Sequence, residues 1–435
     1  MAPLRPRCDY RDGRPPHASR RAQWHGIAAR GASGTARTPV ITPFVAYADL
    51  HDDVLVGALL DLATQPDDEL LAAETARAAL ALEVSFAEAL ARAVLESEGP
   101  FAVAARRGLT ASDPRVGIAR AELERLGVLA HGDAARILAR HGLDDALSTQ
   151  RGLDHPTATP PAAATLLQAL TGAGDWGRHA DALVAFHAGE GLGELATHRV
   201  LRWLDGELVG IADPDTISLD ELVGYEAERA PLLEDLAAFI AGQPANDALL
   251  YGLPGTGKSA AVRACAAAFA DNGVRLIQVE RDQLDSLEDA LLALRGEGPK
   301  TILFLDDLVV DDADRLDRAL RATLDGGVAQ RPQNVVVWAT SNRLNLLHSS
   351  HSERSDDVDA AETVGEKAAL AARFGRRIRF ERQDRAAYLA ICQRLVRDRL
   401  GELPATLDDD AMRFAVQGHG LSARTARQFA DAYRP

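Results

Sequence analysis

Two hydrophobic rhythms divide the chain. From Pro43 to about Ala196, apolar residues recur at helical spacing, as in Glu69 through Leu82 and Ser85 through Leu95, against a background of Ala, Leu, Arg and Glu. All four are strong helix formers and the spacing lines the apolar residues on one face, so an all-helical region over residues 41–196 is expected. Asp113-Pro114 marks one helix start and Gly142 one helix end, while His155-Pro156-Thr157-Ala158-Thr159-Pro160-Pro161 interrupts the helices as a loop or linker. After residue 199 the period changes. Arg199-Val200-Leu201-Arg202-Trp203-Leu204 and Glu207-Leu208-Val209-Gly210-Ile211 flank Asp205-Gly206, a pair that favours the tight turn of a β-hairpin. The hairpin and its linker, 197–218, read as a small structural module without chemistry of its own. Beyond it, short apolar runs at Ala248–Tyr251, Arg275–Val279, Thr301–Leu305 and Asn334–Thr340 alternate with helix-forming stretches at Ala260–Phe269 and Leu284–Leu294. That alternation predicts an α/β domain built on a parallel sheet.

The strongest chemical signal lies where the first of those strands meets its helix. Gly252-Leu253-Pro254-Gly255-Thr256-Gly257-Lys258-Ser259 satisfies G-x-x-x-x-G-K-[ST], and Ala260 opens the helical run that follows. The glycines let backbone N–H groups turn toward a β-phosphate, Lys258 reaches the β- and γ-phosphates, and Ser259 offers its hydroxyl to Mg²⁺. A helix N-terminus behind the loop adds its partial positive charge. Further along, the apolar strand Thr301–Leu305 delivers Asp306-Asp307. An acidic pair at the end of a buried strand, downstream of a phosphate loop, suits Mg²⁺ held by Asp306 and an attacking water oriented by Asp307.

Charge narrows the function classes. The formal net charge is −16 over 435 residues, which disfavours a general nucleic-acid binder, because that binding relies on Lys and Arg neutralising phosphates. The first forty residues run the other way, with Arg5, Arg7, Arg11, Arg14, Arg20, Arg21, Arg30 and Arg37 against Asp9 and Asp12. This Pro/Gly-rich arm, 1–40, holds too little apolar surface to offset ordering entropy and is expected to be disordered. Cys8, Cys265 and Cys392 form no C-x-x-C pair, and His131, His141, His179, His187 and His198 show no metal-ligand spacing. Reduced thiols and surface or capping histidines are the expectation, and so is a cytoplasmic location, since no run is apolar enough for a membrane span or a signal h-region. His348, His351, Asp356, Asp357 and Asp359 fall in a polar stretch read as an acidic loop, and Asp311 and Asp312 as a solvated loop or helix start.

Several motifs follow one another in a recognisable order: Leu222-Val223-Gly224-Tyr225-Glu226, the phosphate loop, Leu303-Phe304-Leu305-Asp306-Asp307, Ala339-Thr340-Ser341-Asn342-Arg343, Arg373-Phe374-Gly375 and Gly420-Leu421-Ser422-Ala423-Arg424. In this the chain resembles AAA+ P-loop ATPases. More narrowly it resembles a bacterial family of largely uncharacterised AAA+ ATP-binding proteins, marked by the run from Tyr251-Gly252 to Lys258-Ser259 and by Thr425-Ala426-Arg427-Gln428-Phe429. The resemblance covers roughly residues 219 to 435 and does not explain the helical region. It implies an ATPase core over 219–381 and a helical lid over 382–435, with Mg-ATP as ligand and assembly into a ring or partial ring. Position by position it implies that Val223 and Gly224 lie against adenine, that Asn342 reads the γ-phosphate and holds the water, that Arg373 is a finger inserted by a neighbouring subunit, and that Arg424 contacts the γ-phosphate from its own subunit. Arg376 and Arg377 compete with Arg373 for the finger. Two departures stand out: Asp307 occupies a position usually held by Glu, and Glu280-Arg281-Asp282-Gln283 stand where unfoldases carry an aromatic pore loop. The expected function is Mg-ATP hydrolysis that remodels or loads a protein partner. A slow nucleotide switch or scaffold is the alternative, and a DNA-associated loader ranks below both.

Overall fold

The computed structural model describes residues 44–82, 85–143, 158–308, 332–342 and 373–434. The basic arm, the polar stretch 346–366, Asp311 and Asp312, and residues 155–157 of the loop before Pro161 lie outside them.

Between residues 44 and 197 the described chain is helical, with helices including Val54–Thr64, Glu69–Leu82, Phe86–Leu95, Pro100–Arg106, Pro114–Val128, Ala134–Arg140, Pro161–Gly172 and Ala180–Glu190. Asp113 caps its helix through the Arg115 N–H, with Pro114 at the first helical position where a missing N–H costs nothing. Gly142, at φ +67°, takes the left-handed turn that ends the helix Ala134–Arg140. One apolar core, running from Phe44 to Ala196, joins these helices. Glu122, 3 % exposed, accepts backbone N–H groups from Val45, Ala46 and Tyr47 at 2.7, 3.0 and 3.1 Å and so ties the start of the described chain to the long helix. His187 departs from the surface reading. It is fully buried, edge-on to Phe101 and Phe186, and burial pushes its imidazole down to about 4, against a weaker opposing Gly191 backbone contact.

Among the described residues, seven strands form one sheet: β1 (Val200–Leu204), β2 (Glu207–Gly210), β3 (Ala248–Gly252), β4 (Val274–Val279), β5 (Lys300–Leu305), β6 (Val335–Ser341) and β7 (Arg376–Phe380), in the order β2-β1-β4-β5-β6-β3-β7. Asp205 and Gly206, both at positive φ, make the two-residue turn that pairs Leu204 with Glu207. The hairpin is not a separate module, however. β1 pairs in parallel with β4, Val200 opposite Leu276, and so extends the main sheet. The remaining neighbours are parallel throughout. Alternation along each strand sends successive residues to opposite faces. Leu249, Ile277, Leu303 and Val337 join one core, beneath the helix Leu287–Ala293, while Leu250, Leu276, Ile302 and Val336 join the other, beneath the helices Glu226–Ile240 and Lys258–Ala268. After β7, the helices Arg385–Leu400, Leu407–Phe414 and Ala423–Ala432 pack round their own small core. A mostly parallel sheet between helices, with a glycine loop at the end of β3 and a helical group after β7, is the arrangement that the resemblance to AAA+ P-loop ATPases leads one to expect.

The helical region and the sheet meet across charged contacts. Arg275 on β4 is fully buried, pairs with Glu190 and donates from Nε to the Leu195 carbonyl at 3.1 Å. Arg106 pairs with the buried Glu297. Close backbone approach accompanies them, since a Cβ on Gly298 would stand 2.2 Å from the Gly189 carbonyl. In each pair one member is buried, Arg275 or Glu297, and losing Glu190 or Arg106 would leave that buried group without its counter-charge, which is unfavourable.

Candidate nucleotide site

In an open parallel sheet, ligands bind beyond the carboxyl ends of the strands. Here β3, β5 and β6 bring the phosphate loop, Asp306-Asp307 and Asn342 to that end together, with Leu305 opposite Ala339 and Tyr251 opposite Ser341 in register. The loop leaves β3 through Gly252, whose φ of +151° and close approach to the Phe380 carbonyl, 2.1 Å from where a Cβ would stand, exclude any side chain. Gly255 and Gly257 also have positive φ, at +80° and +92°. Thr256 closes the turn by donating to the Leu253 carbonyl at 2.9 Å.

Lys258 is 5 % exposed, and its ammonium donates to the carbonyls of Gly252 and Leu253 at 3.0 and 2.8 Å and to Asn342 Oδ1 at 2.8 Å. Burial pushes this lysine down to about 8, the carboxylates of Asp307 and Asp306 oppose the shift, and Arg424 adds to it. Ser259 Oγ donates to Asp306 Oδ1 at 2.6 Å, and Thr340 Oγ1 donates to the same oxygen at 2.6 Å. Thr340 also accepts the Asp307 N–H at 2.9 Å, which fixes the acidic pair against β6. The sequence reading overlooked this threonine, although its place one strand over and two residues before Asn342 is visible in the register. Asp307 sits at φ +56°, uncommon for a residue with a side chain, and its Oδ1 accepts from the Asn342 amide. The residues that suit Mg²⁺, Ser259 and Asp306, are thus already in contact, and a hydroxyl with a carboxylate is the hard oxygen set that Mg²⁺ takes beside phosphates.

Two further segments close on the loop. Arg424, exposed on the first turn of the helix Ala423–Ala432, has its backbone N–H 3.5 Å from the Gly255 carbonyl, and Ser422 caps that helix through the Thr425 N–H at 3.1 Å. On the other side, the buried Arg229 holds the chain before Val223 by donating to the Leu219 and Leu222 carbonyls at 2.6 and 3.0 Å. Val223 packs against the core of the C-terminal helices, and Gly224 and Tyr225 follow at φ +79° and +64°. The Tyr225 ring lies 5.0 Å from that of Phe380, and a Cβ on Gly257 would stand 3.5 Å from it.

Of the three arginines proposed as a finger, Arg376 is engaged in two hydrogen bonds to Asp235, at 2.7 and 3.0 Å. Arg377 is exposed on β7. Arg373 stands just before β7 and is followed by Phe374, which is 2 % exposed in the core, and by Gly375, where a Cβ would fall 2.3 Å from Asn246 Oδ1. Packing on these two neighbours fixes where Arg373 leaves the sheet. Among the described residues no group of three or more His, Cys, Asp or Glu is placed to hold a metal, and no helix is long and apolar enough to cross a membrane.

Solved structures of the Thermotoga maritima RuvB Holliday junction branch migration motor are similar to this chain at 19 % identity, covering 49 % of it and 63 % of the motor, with a TM-score of 0.34. A single-substitution mutant of the same motor gives 19 %, 49 %, 63 % and 0.35. The chain therefore spans less than two thirds of the length of those structures. No curated protein matches the chain. The family model described as "Protein of unknown function (DUF815)" matches residues 196–434, from just before the hairpin through the last helix, and by this match over more than half its length the chain belongs to that family.

Proposed function

We propose that the protein binds Mg-ATP at the loop Gly252–Ser259 and hydrolyses it. The observation that carries this reading is the convergence of Lys258, Ser259, Asp306 and Asn342 from three strand ends, with Ser259 Oγ 2.6 Å from Asp306 and Lys258 Nζ 2.8 Å from Asn342. In the proposed site the loop N–H groups and Lys258 take the β- and γ-phosphates, and Ser259 and Asp306 hold Mg²⁺, which neutralises charge on the phosphates. Asp307 and Asn342 position the water, and Arg424 reaches the γ-phosphate from the C-terminal helices. The proposed outcome of turnover is a rearrangement that remodels or loads a protein partner, passed to the helical region through Arg275–Glu190 and Arg106–Glu297. A slow switch is the second reading. It is favoured by the short Asp307 carboxylate, which stands where a longer Glu is usual and already pairs with Asn342.

Separate variants test the two acidic roles. Asp306→Ala is expected to remove Mg²⁺-dependent turnover, and Asp307→Asn to keep nucleotide bound while blocking its hydrolysis. Phosphate release and nucleotide retention, measured on the same preparations, check both. Wild-type turnover by Asp307→Asn would move the water-orienting role elsewhere, and negligible turnover by the wild type with tight ATP binding would favour the switch.

The lysine gives the site a pH dependence. Because burial holds Lys258 at about 8 and bound phosphates favour its charged form, binding takes up a proton near that pH. Affinity is then flat below the pKa and falls as pH rises through it, to about tenfold weaker one unit above. Titrations from pH 7 to 9.5, with calorimetry in two buffers of different ionisation enthalpy at pH 8, check both the slope and the proton uptake.

A further inference from the structure

The helix Pro100–Arg106 ends, and the helix Pro114–Val128 begins, around a surface cavity of about 350 Å³ in the helical region, apart from the nucleotide site. Its floor is apolar, built from Val103, Ala104 and Leu109, with Ala104 buried. Gly108 stands at the mouth at φ +95°, and open space where a Cβ would be leaves the cavity unroofed on that side. The rim is rich in donors and short of acceptors. Its carboxylate, Asp113, is taken by Arg115, which donates from Nε to Oδ1 at 2.8 Å and from a terminal nitrogen to Oδ2 at 2.7 Å. Those hydrogen bonds from Arg115 hold the Asp113 carboxyl down to about 2, so it stays charged and committed to that arginine. Arg107, exposed on the same rim, has no ion pair among the described residues. Ile118, 45 % exposed and three residues beyond Arg115, extends apolar surface along the same helix face.

Each half of the cavity narrows its occupant. A phosphate or other small anion would pair with Arg107 and leave the floor unfilled, and a wholly apolar molecule would leave Arg107 unanswered. Nucleic acid draws its affinity from several cations spaced along the phosphates, and here a single guanidinium is unpaired. A volume near the lower end of the roughly 300–1,000 Å³ usual for ligand sites suits one large side chain and its neighbour. We infer that this cavity is a docking site for an acidic segment of a protein partner, in which a large apolar side chain fills the floor and an adjacent Asp or Glu pairs with Arg107. The inference rests on the reading that the protein acts on a protein partner, and it supplies the place of contact. The position suits that role. Arg106, next to Arg107, pairs with Glu297 just ahead of β5, the strand that delivers Asp306-Asp307.

The probe is a displayed library of random linear peptides, selected on the full chain without nucleotide. Enriched peptides should place an aliphatic or aromatic residue beside Asp or Glu. One of them, synthesised with a fluorescent label and followed by anisotropy, should bind Arg107→Gln about fivefold more weakly than the wild type, the size expected of an exposed ion pair, and the difference should shrink at high salt. Val103→Ser, which makes the floor polar, and replacement of the peptide's apolar residue by Ala should each weaken binding about tenfold. The peptide with its acid changed to the amide should bind the wild type and Arg107→Gln alike. Should Val103→Ser fail to fold, Arg107→Glu, at an exposed position, carries the test and should weaken binding more than Arg107→Gln does. No enrichment, enriched peptides without the apolar–acidic pair, or a peptide that binds every variant as it binds the wild type overturns the docking site. ATP binding and turnover are measured on the same preparations. A wild type that binds ATP but selects no such peptide loses the docking site alone. One that binds the peptide and not ATP keeps the docking site and loses the nucleotide reading, and peptide bound with no change in turnover keeps the docking site and removes the coupling of partner to ATP.

Discussion

Lys258→Ala is expected to weaken ATP binding roughly a hundredfold or more, to the limit of measurement. In the proposed site Lys258 is the one side-chain cation that the phosphate loop itself supplies, its other donors being backbone N–H groups, and charge-assisted bonds to phosphate oxygens contribute about 1.5–3 kcal/mol each, with every 1.4 kcal/mol a factor of ten. The alanine variant removes more than charge, because the ammonium also bridges the Gly252 and Leu253 carbonyls and Asn342 and so braces the loop. Lys258→Met, which keeps the aliphatic stem, separates the two effects. If both variants lose binding with unchanged melting temperatures, the loss belongs to the phosphate contact. Titration with a fluorescent ATP analogue measures it, and unchanged affinity in either variant would remove the phosphate-loop reading.

How much of this was legible before the structure depends on how local each signal is. The loop Gly252–Ser259 is a run of consecutive residues whose backbone demands glycine, so its three positive-φ glycines could be named from sequence. The strands β3 to β6 carry their own apolar patterns, and their observed bounds fall within a residue or so of the expected ones. The helix expected at Leu284 instead begins as a 3-10 turn at Arg281–Ser286 and becomes α-helical at Leu287, a change at a terminus where the two forms differ little in energy. β7 was not expected at all. Its arginines at 376, 377 and 379 break the apolar run, and only an edge position, with Ile378 and Phe380 turned inward, makes it a strand. The placement of the hairpin beside β4 was equally hidden, since parallel pairing across about seventy intervening residues leaves no local trace. His187 belongs to the same class. A histidine in sequence carries no mark of burial, and what surrounds it is decided by residues far along the chain.

If Arg373 is a finger given in trans, Arg373→Ala should bind ATP nearly normally and hydrolyse it about 10³–10⁵-fold more slowly, because a second cation meets the phosphoryl oxygens only as charge develops on them. That factor corresponds to about 4–7 kcal/mol of transition-state stabilisation. The resemblance puts the finger at Arg373, and the engagement of Arg376 by Asp235 leaves Arg377 as the next to test. The buried Phe374 and the close packing at Gly375 mean that the alanine variant should leave β7 in place, so a loss of rate is not a loss of fold. A site completed by a neighbour also requires assembly: wild-type specific activity should rise with protein concentration while ATP binding does not. Mixing gives the decisive measurement. Arg373→Ala keeps an intact phosphate loop and Lys258→Ala an intact finger, so each is inactive alone, but mixed assemblies join the two intact halves. Activity recovered on mixing places the finger in the neighbouring subunit. A normal rate for Arg373→Ala, with turnover independent of concentration and nothing recovered on mixing, would leave a single chain hydrolysing ATP with its own residues and Arg424 as the remaining cation on the γ-phosphate.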